Sequence, residues 1–354
     1  MKGNRPFSLR RFNVSTEHIQ AAYDKLNQAN QIMMEALDFS YTEAWHENLQ
    51  NIANGVLQVI DGQPDPETAQ RIQTLYDQVD WDKFSERERL QVLQLIFLEA
   101  ERQDQLQANH QMTPAGIAML LTYFASRLLQ TRGQSKETPL KVFDPTVGTG
   151  NLLLMVQRGL EEGGYQVASV GYDNDDLLLA IADQSFKFLD RQAKLYYGDV
   201  LQNLLLEPVD LVVADLPVGY YPLDEQAKAF KANTMDQGTP HAYAHYLMIE
   251  QSLKYMQEGA WGIFLVPTQI LQEDYSAQLV QAITQTGYFQ AFLNLPAELF
   301  RQAKARKSVL MVQKQGAAAK QAENVLIGDI PDLKDQENME KFIDSFSKWT
   351  QDVL

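Results

Sequence analysis

The chain has 354 residues, 45% hydrophobic and 21% charged, the balance of a globular protein rather than a disordered or fibrous one. No apolar run approaches the roughly 20 residues that span a bilayer, and the start at Met1, Lys2 and Gly3 lacks the long apolar stretch of a signal peptide, so no membrane association and a cytoplasmic location are expected. The lack of cysteine excludes disulfides, thiolate zinc sites and a cysteine nucleophile, while a net charge of −16 opposes polyanions as a global field and leaves local basic patches free to act.

Helical spacing comes first along the chain. Residues 17–37 carry Ile19, Ala22, Tyr23, Leu26, Ile32 and Met33 on one face, and residues 45–60, 66–79 and 85–107 continue the pattern. Asp65 followed by Pro66 fits an N-cap with proline at the first helical position. Ser85 with Glu88 three residues on fits a capping box. Thr113 fits the N-cap of a further helix over 115–130. Residues 131–139 are polar and turn-rich and read as a loop. The expected division is an N-terminal helical domain at 1–133 whose last helix reaches the ligand site, a second domain at 134–315, and a C-terminal extension at 316–354 ending in a helix over 338–353.

From Leu140 the texture changes to short apolar runs alternating with helical stretches. Candidate strands are 141–143, 167–172, 195–197, 209–214, 262–266, 289–295 and 308–313. This alternation predicts an α/β fold: a doubly wound, mostly parallel, seven-stranded sheet covered by helices, which binds ligands at the carboxyl ends of its strands.

The chemistry-bearing residues fall at those ends. The segment Asp144-Pro145-Thr146-Val147-Gly148-Thr149-Gly150 places two glycines in a strand-to-helix turn, where glycine lets backbone approach a ligand and permits positive φ. No lysine follows the second glycine and no third glycine completes Gly-x-Gly-x-x-Gly, which argues against a P-loop and weakens a dinucleotide reading. The second strand ends in Asp173, placed to accept hydrogen bonds from ribose hydroxyls. The third is followed by Asp199, a candidate acceptor for an adenine amino group, and the fourth ends in Asp215. Aspartate also serves as a helix N-cap, but four strands ending this way in step point to a single site for a nucleotide-like cofactor.

Three other features stand apart. Lys2, Arg5, Arg10 and Arg11 form a basic arm, read as solvated; Arg301, Lys304, Arg306, Lys307 and Lys314 read either as a solvated loop or as a phosphate contact. Residues 222–239, long and polar with Lys228 and Lys231, are a candidate substrate lid. His241 and His245 sit four apart, but Ala242 follows the first, so this is not His-Glu-x-x-His and no metal is expected.

Asp144-Pro145-Thr146-Val147-Gly148-Thr149-Gly150 resembles the S-adenosylmethionine (SAM) motif of class I adenine-N6 DNA methyltransferases. Asp215-Leu216-Pro217-Val218 stands where that family carries its catalytic Asn/Asp-Pro-Pro-Tyr/Phe. Met112-Thr113-Pro114 resembles the segment that contacts the methionine part of the cofactor, and the helical region is similar to that of type I restriction-modification methylation subunits. The resemblance runs from Val14 to Gln315.

It implies SAM as cofactor, with Thr113, Asp144, Thr146, Gly148 and Gly150 around its methionine end, Asp173 at the ribose and Asp199 at the adenine. It further implies Asp215, Leu216 and Pro217 as catalytic residues, the Asp215 carboxylate and the Leu216 carbonyl accepting from the target amine. Methylation at carbon 5 of cytosine needs an attacking thiol, which this chain lacks. Leu216 replaces the family's first proline and Val218 its stacking aromatic, so Tyr220 and Tyr221 become candidates for the target-base contact beside Val218; extruded bases are commonly sandwiched by aromatics.

Only about 40 residues follow Gln313, too few for a separate domain that reads DNA sequence. Specificity on DNA would then come from the helical domain, residues 222–239, or a specificity subunit or other partner protein. The expected function is SAM-dependent N-methylation, of adenine N6 in DNA. The alternatives are an RNA or protein-amide acceptor, or a SAM-binding regulatory protein without catalysis.

Overall fold

The structure, a computed structural model, describes residues 16–300, 302–316 and 319–353. Lys2, Arg5, Arg10, Arg11 and Arg301 lie outside the described residues, as does the side chain of Lys304. The chain divides into two compact units, Met1–Gln105 and Leu106–Leu354.

The first unit holds α1 (Thr16–Leu37), α2 (Tyr41–Asn54), α3 (Pro66–Asp77) and α4 (Glu86–Gln103). Ser85 and Glu88 form the expected capping box, and Asp65 caps α3 with Pro66 in its first turn. The second helix stops at Asn54 rather than running to residue 60. Gly55 adopts φ +69, and its amide turns back onto the carbonyl of Ile52, a left-handed stop that glycine permits without a Cβ penalty. Asp104, just past α4, accepts from the amides of Tyr41 at 3.0 Å and Thr42 at 2.7 Å, satisfying the first turn of α2. Leu26, Met33, Trp45, Leu49 and Ile96 are buried.

The second unit runs α5 (Ala115–Thr131), β1 (Leu140–Asp144), α6 (Asn151–Glu162), β2 (Val167–Asp173), α7 (Asp176–Phe188), β3 (Ala193–Tyr197), β4 (Val209–Asp215), α8 (Asp224–Ala227), α9 (Ala244–Tyr255), β5 (Met256–Pro267), α10 (Ser276–Thr286), β6 (Gly287–Asn294), β7 (Lys307–Lys314), β8 (Leu326–Asp329) and α11 (Gln336–Val353). The described residues form one eight-stranded sheet in the order β3-β2-β1-β4-β5-β7-β6-β8. All neighbours pair in parallel except β7, which is antiparallel to both β5 and β6. The α/β class is as expected; the strand count is eight rather than seven. The extra strand, β8, has four residues and pairs in parallel with β6 from Ala291–Leu326 to Asn294–Asp329. It alternates partly buried and exposed positions at the sheet edge, so no continuous apolar run marks it.

Helix α5 falls within the second compact unit, which begins at Leu106. A Cβ on Gly159 of α6 would lie 2.3 Å from Thr122 Cγ2, so glycine sets the close approach of α6 to α5. On α5, Phe124 meets Phe346 of α11 with ring centroids 4.6 Å apart. Leu121, Ala125, Leu128 and Leu129 of α5 are fully buried. No helix of the described residues is long and apolar enough to cross a membrane.

Candidate active site

Because β2, β1 and β4 are adjacent and parallel, their last residues, Asp173, Asp144 and Asp215, line one edge of the sheet. Asp199 follows β3 on the same edge. These four carboxylates border a cavity of about 540 Å³ together with the glycine turn, residues 108–113 and Lys307. That volume lies in the range of small-molecule and cofactor sites.

The glycine turn is fastened at both ends. The amide of Thr146 donates to Asp144 at 3.0 Å, and that of Gly148 donates to Asp173 at 2.7 Å. Gly148 has φ +50 and Gly150 φ +80, both left-handed. A Cβ at Gly148 would meet nothing within 4 Å, so the backbone there faces open space; at Gly150 it would meet Phe186 at 3.1 Å and Ala182 at 3.2 Å. One glycine bares backbone to the pocket and the other lets α6 pack on α7. Helix α6 starts at Gly150 with no side-chain cap.

Electrostatics favour a cationic ligand. Asp144 is fully buried, and burial pushes its carboxyl up to about 8, with the charges of Asp173 and Asp215 adding to the effect. Burial likewise raises the carboxyl of Asp173. Among the described residues around the cavity, Lys307 is the single lysine or arginine against four aspartates. SAM, a nucleoside carrying a sulfonium and an ammonium, fits this donor set in size and in charge.

The four aspartates differ in what already holds them. Asp173 accepts from Gly148 on one oxygen and from the Asp175 amide on the other, at 3.0 Å. Asp199 accepts from the Leu201 amide at 2.9 Å, Gln202 at 3.2 Å and the Tyr221 hydroxyl at 2.5 Å. Asp215 receives the Thr113 hydroxyl on Oδ2 at 3.0 Å and the Lys307 ammonium on Oδ1, while its carbonyl accepts the Thr146 hydroxyl at 3.2 Å. Thr113 is therefore not the N-cap of α5, a position that Pro114 takes; its hydroxyl turns to Asp215 and its carbonyl accepts from Asn151 at 2.9 Å.

The segment after Asp215 is held as firmly. The Leu216 amide donates to Leu265 at 3.2 Å, and the Leu216 side chain is fully buried. Asn109 brackets Val218, accepting from its amide at 3.0 Å and donating to its carbonyl at 3.2 Å. Of the candidate base contacts, Val218 and Tyr220 are each 46% exposed, and Tyr220 stacks on Tyr243 with centroids 4.8 Å apart. Tyr221 also lines the cavity, but it is buried, with its hydroxyl on Asp199.

Residues 222–239 combine exposed positions with anchored ones. Ala227, Ala232 and Thr234 are fully buried, Thr234 and Thr239 bond each other at 2.8 Å, and the Ala232 amide donates to Glu250 at 2.7 Å. His241 precedes α9 and bonds Asp224 at 2.9 Å. His245, on α9, is buried, and burial with the nearby Lys307 charge pushes its imidazole down to about 4. Asn109 and Asn151 are site members that sequence reasoning missed; Lys307 was visible only as part of a basic stretch.

A family model described as N-6 DNA Methylase matches residues 99–351. The Bacillus subtilis protein YtxK, described as uncharacterized, is 32% identical over 333 residues, covering 94% of this chain and 98% of its own. Among solved structures, a Listeria monocytogenes protein described as a class I SAM-dependent methyltransferase is similar with a TM-score of 0.86 at 32% identity, over 95% of this chain and 99% of its own. A type I restriction-modification methyltransferase subunit from Streptococcus thermophilus shares the fold at a TM-score of 0.62 and 11% identity, over 94% of this chain and 88% of its own.

Proposed function

The chain belongs to the N-6 DNA methylase family and is a SAM-dependent methyltransferase, and from that premise we propose that it methylates the exocyclic N6 amine of adenine in DNA. The observation that carries this reading is that Asp215 and Leu216 border the same cavity as the glycine turn. An amine held at the end of β4 would share one chamber with a cofactor held at the end of β1.

SAM supplies a methyl group on a sulfonium, so the protein's contribution is chiefly positioning. Thr113, Asp144, Thr146, Gly148 and Gly150 are assigned to its methionine end. Asp173 is assigned to the ribose. Asp199 is assigned to the adenine, through the acceptor capacity that its present partners leave. The Asp215 carboxylate and the Leu216 carbonyl each accept one N–H of the target amine, which draws the nitrogen lone pair out of ring conjugation. Pro217 restricts the backbone between them and Val218. Val218 and Tyr220 are assigned to the face of the target base, and Tyr221 to supporting Asp199.

The net charge of −16 leaves this chain poorly suited to hold a phosphate backbone by itself. We therefore assign target selection to a partner protein. A genomic acceptor goes with a cytoplasmic location.

The test is methyl transfer from labelled SAM to unmethylated genomic DNA, with Asp215→Ala as control. Label recovered as N6-methyladenine, and lost in the variant, supports the proposal. Absence of label from a sample that binds SAM, alone and with candidate partner proteins, moves the acceptor to RNA or a protein amide.

A further inference from the structure

Lys307 opens β7 opposite Pro267, the last residue of β5. Its carbonyl accepts from the Leu295 amide at 3.2 Å. The backbone is thus fixed on both sides, and the side chain reaches Asp215 from a rigid base. Lys307 and Asp215 are 24% and 19% exposed, so this ion pair is only partly screened by water. A carboxylate offers about four lone-pair positions. Thr113 and Lys307 occupy one on each oxygen, so the carboxylate is oriented and still able to accept from an amine.

We propose that Lys307 is a positioning residue for methyl transfer: its ammonium fixes the Asp215 carboxylate in the orientation that accepts from the target amine. The proposal rests on the reading of Asp215 as the residue that holds the acceptor. An aspartate lacking its ion-pair partner turns readily about χ2, and small misplacements of a reacting group cost on the order of a hundredfold in rate.

The experiment has two arms on the full chain. In the first, Lys307→Met and Lys307→Arg are assayed for SAM affinity and for transfer to unmethylated DNA. The expected result is that Lys307→Met loses about ten- to a hundredfold in kcat with SAM affinity nearly unchanged, and that Lys307→Arg recovers most of the rate. A Lys307→Met enzyme as fast as the wild type, or an equally slow Lys307→Arg, overturns the proposal.

In the second arm, lysines are acetylated with limiting acetic anhydride and read by peptide mass. Lys307 should react far more slowly than the exposed Lys83 and Lys341, and Asp215→Asn should release it. Reaction of Lys307 at the rate of the exposed lysines overturns the proposal. Should the wild type bind SAM and leave DNA unmethylated, the DNA reading fails by itself. The acetylation arm, which needs no acceptor, then decides whether Asp215 holds Lys307.

Discussion

The hydroxyl of Thr113 donates to Oδ2 of Asp215 over 3.0 Å, joining the turn ahead of α5 to the end of β4. A hydrogen bond to a charged group contributes about 1.5–3 kcal/mol. If Asp215 holds the acceptor, Thr113→Val lowers kcat by roughly ten- to a hundredfold, while Thr113→Ser restores most of it. Steady-state methyl transfer to DNA, with SAM affinity measured in parallel, checks this; a Ser variant as slow as Val would assign the effect to packing.

Asp144 makes stability depend on pH. Its folded carboxyl stands at about 8, against about 3.9 in an unfolded chain. Between those values the folded protein retains a proton that the unfolded chain has released. The contribution of Asp144 to the stability of the ligand-free protein therefore falls as pH rises from about 4 to about 8, then levels, while His245, held down at about 4, contributes a rise that ends near pH 6.5. Asp144→Asn removes most of this slope; Asp173, also raised by burial, keeps a smaller one of the same sign. Urea midpoints from pH 5 to 9 for both proteins decide the matter, and parallel curves would contradict it.

Gly148 and Gly150 should separate binding from stability. A left-handed residue with a Cβ costs about 1–2 kcal/mol. At Gly150 the added carbon also presses on Phe186 and Ala182, so Gly150→Ala should lose about 2–3 kcal/mol, roughly 5–10 °C in Tm. At Gly148 the carbon enters open space. Gly148→Ala should lose only about 1 kcal/mol yet weaken SAM binding about tenfold or more. Calorimetric melting and SAM titration of both variants test the contrast.

Asn109 should stiffen the segment that lacks the family's first proline. Its side chain pairs with both polar groups of the Val218 peptide, as a neighbouring strand would. Amide hydrogen exchange at Val218 should speed up at least tenfold in Asn109→Ala, with little change in SAM affinity. Unchanged protection would mean that Pro217 and the Leu216–Leu265 bond suffice.

Much of the second unit was legible because its strands read as apolar runs, three of which, β1, β2 and β4, end on aspartate. Buried on both faces, β1 and β4 cannot hide among alternating polar residues. The glycine turn was legible for a related reason: two left-handed positions demand glycine, whatever the ligand. The surroundings of Asp215 were less so. Thr113 reads locally as a helix cap, and only the arrival of β4 beside it shows the hydroxyl serving Asp215. Nothing in the neighbourhood of Asn109 marks it, since its partner is the Val218 backbone, and backbone leaves no signature in sequence. Lys307 was visible as one charge in a basic run, because its pairing depends on an antiparallel strand placed between two strands of the opposite sense.

That antiparallel strand has a consequence for assembly. A parallel strand delivers its last residue to the ligand edge of the sheet, whereas β7 delivers its first, Lys307. The corner made by Thr113, Asp215 and Lys307 thus draws on three widely separated stretches of chain and forms only when loops of about a hundred residues have closed on each side of Asp215. Contacts of such sequence separation are slow to form. A chain ending before residue 307 lacks both the lysine of this corner and the strand that pairs with β5. In a refolding chain, the ion pair of Lys307 should therefore form after the glycine turn, whose partners lie far closer in sequence.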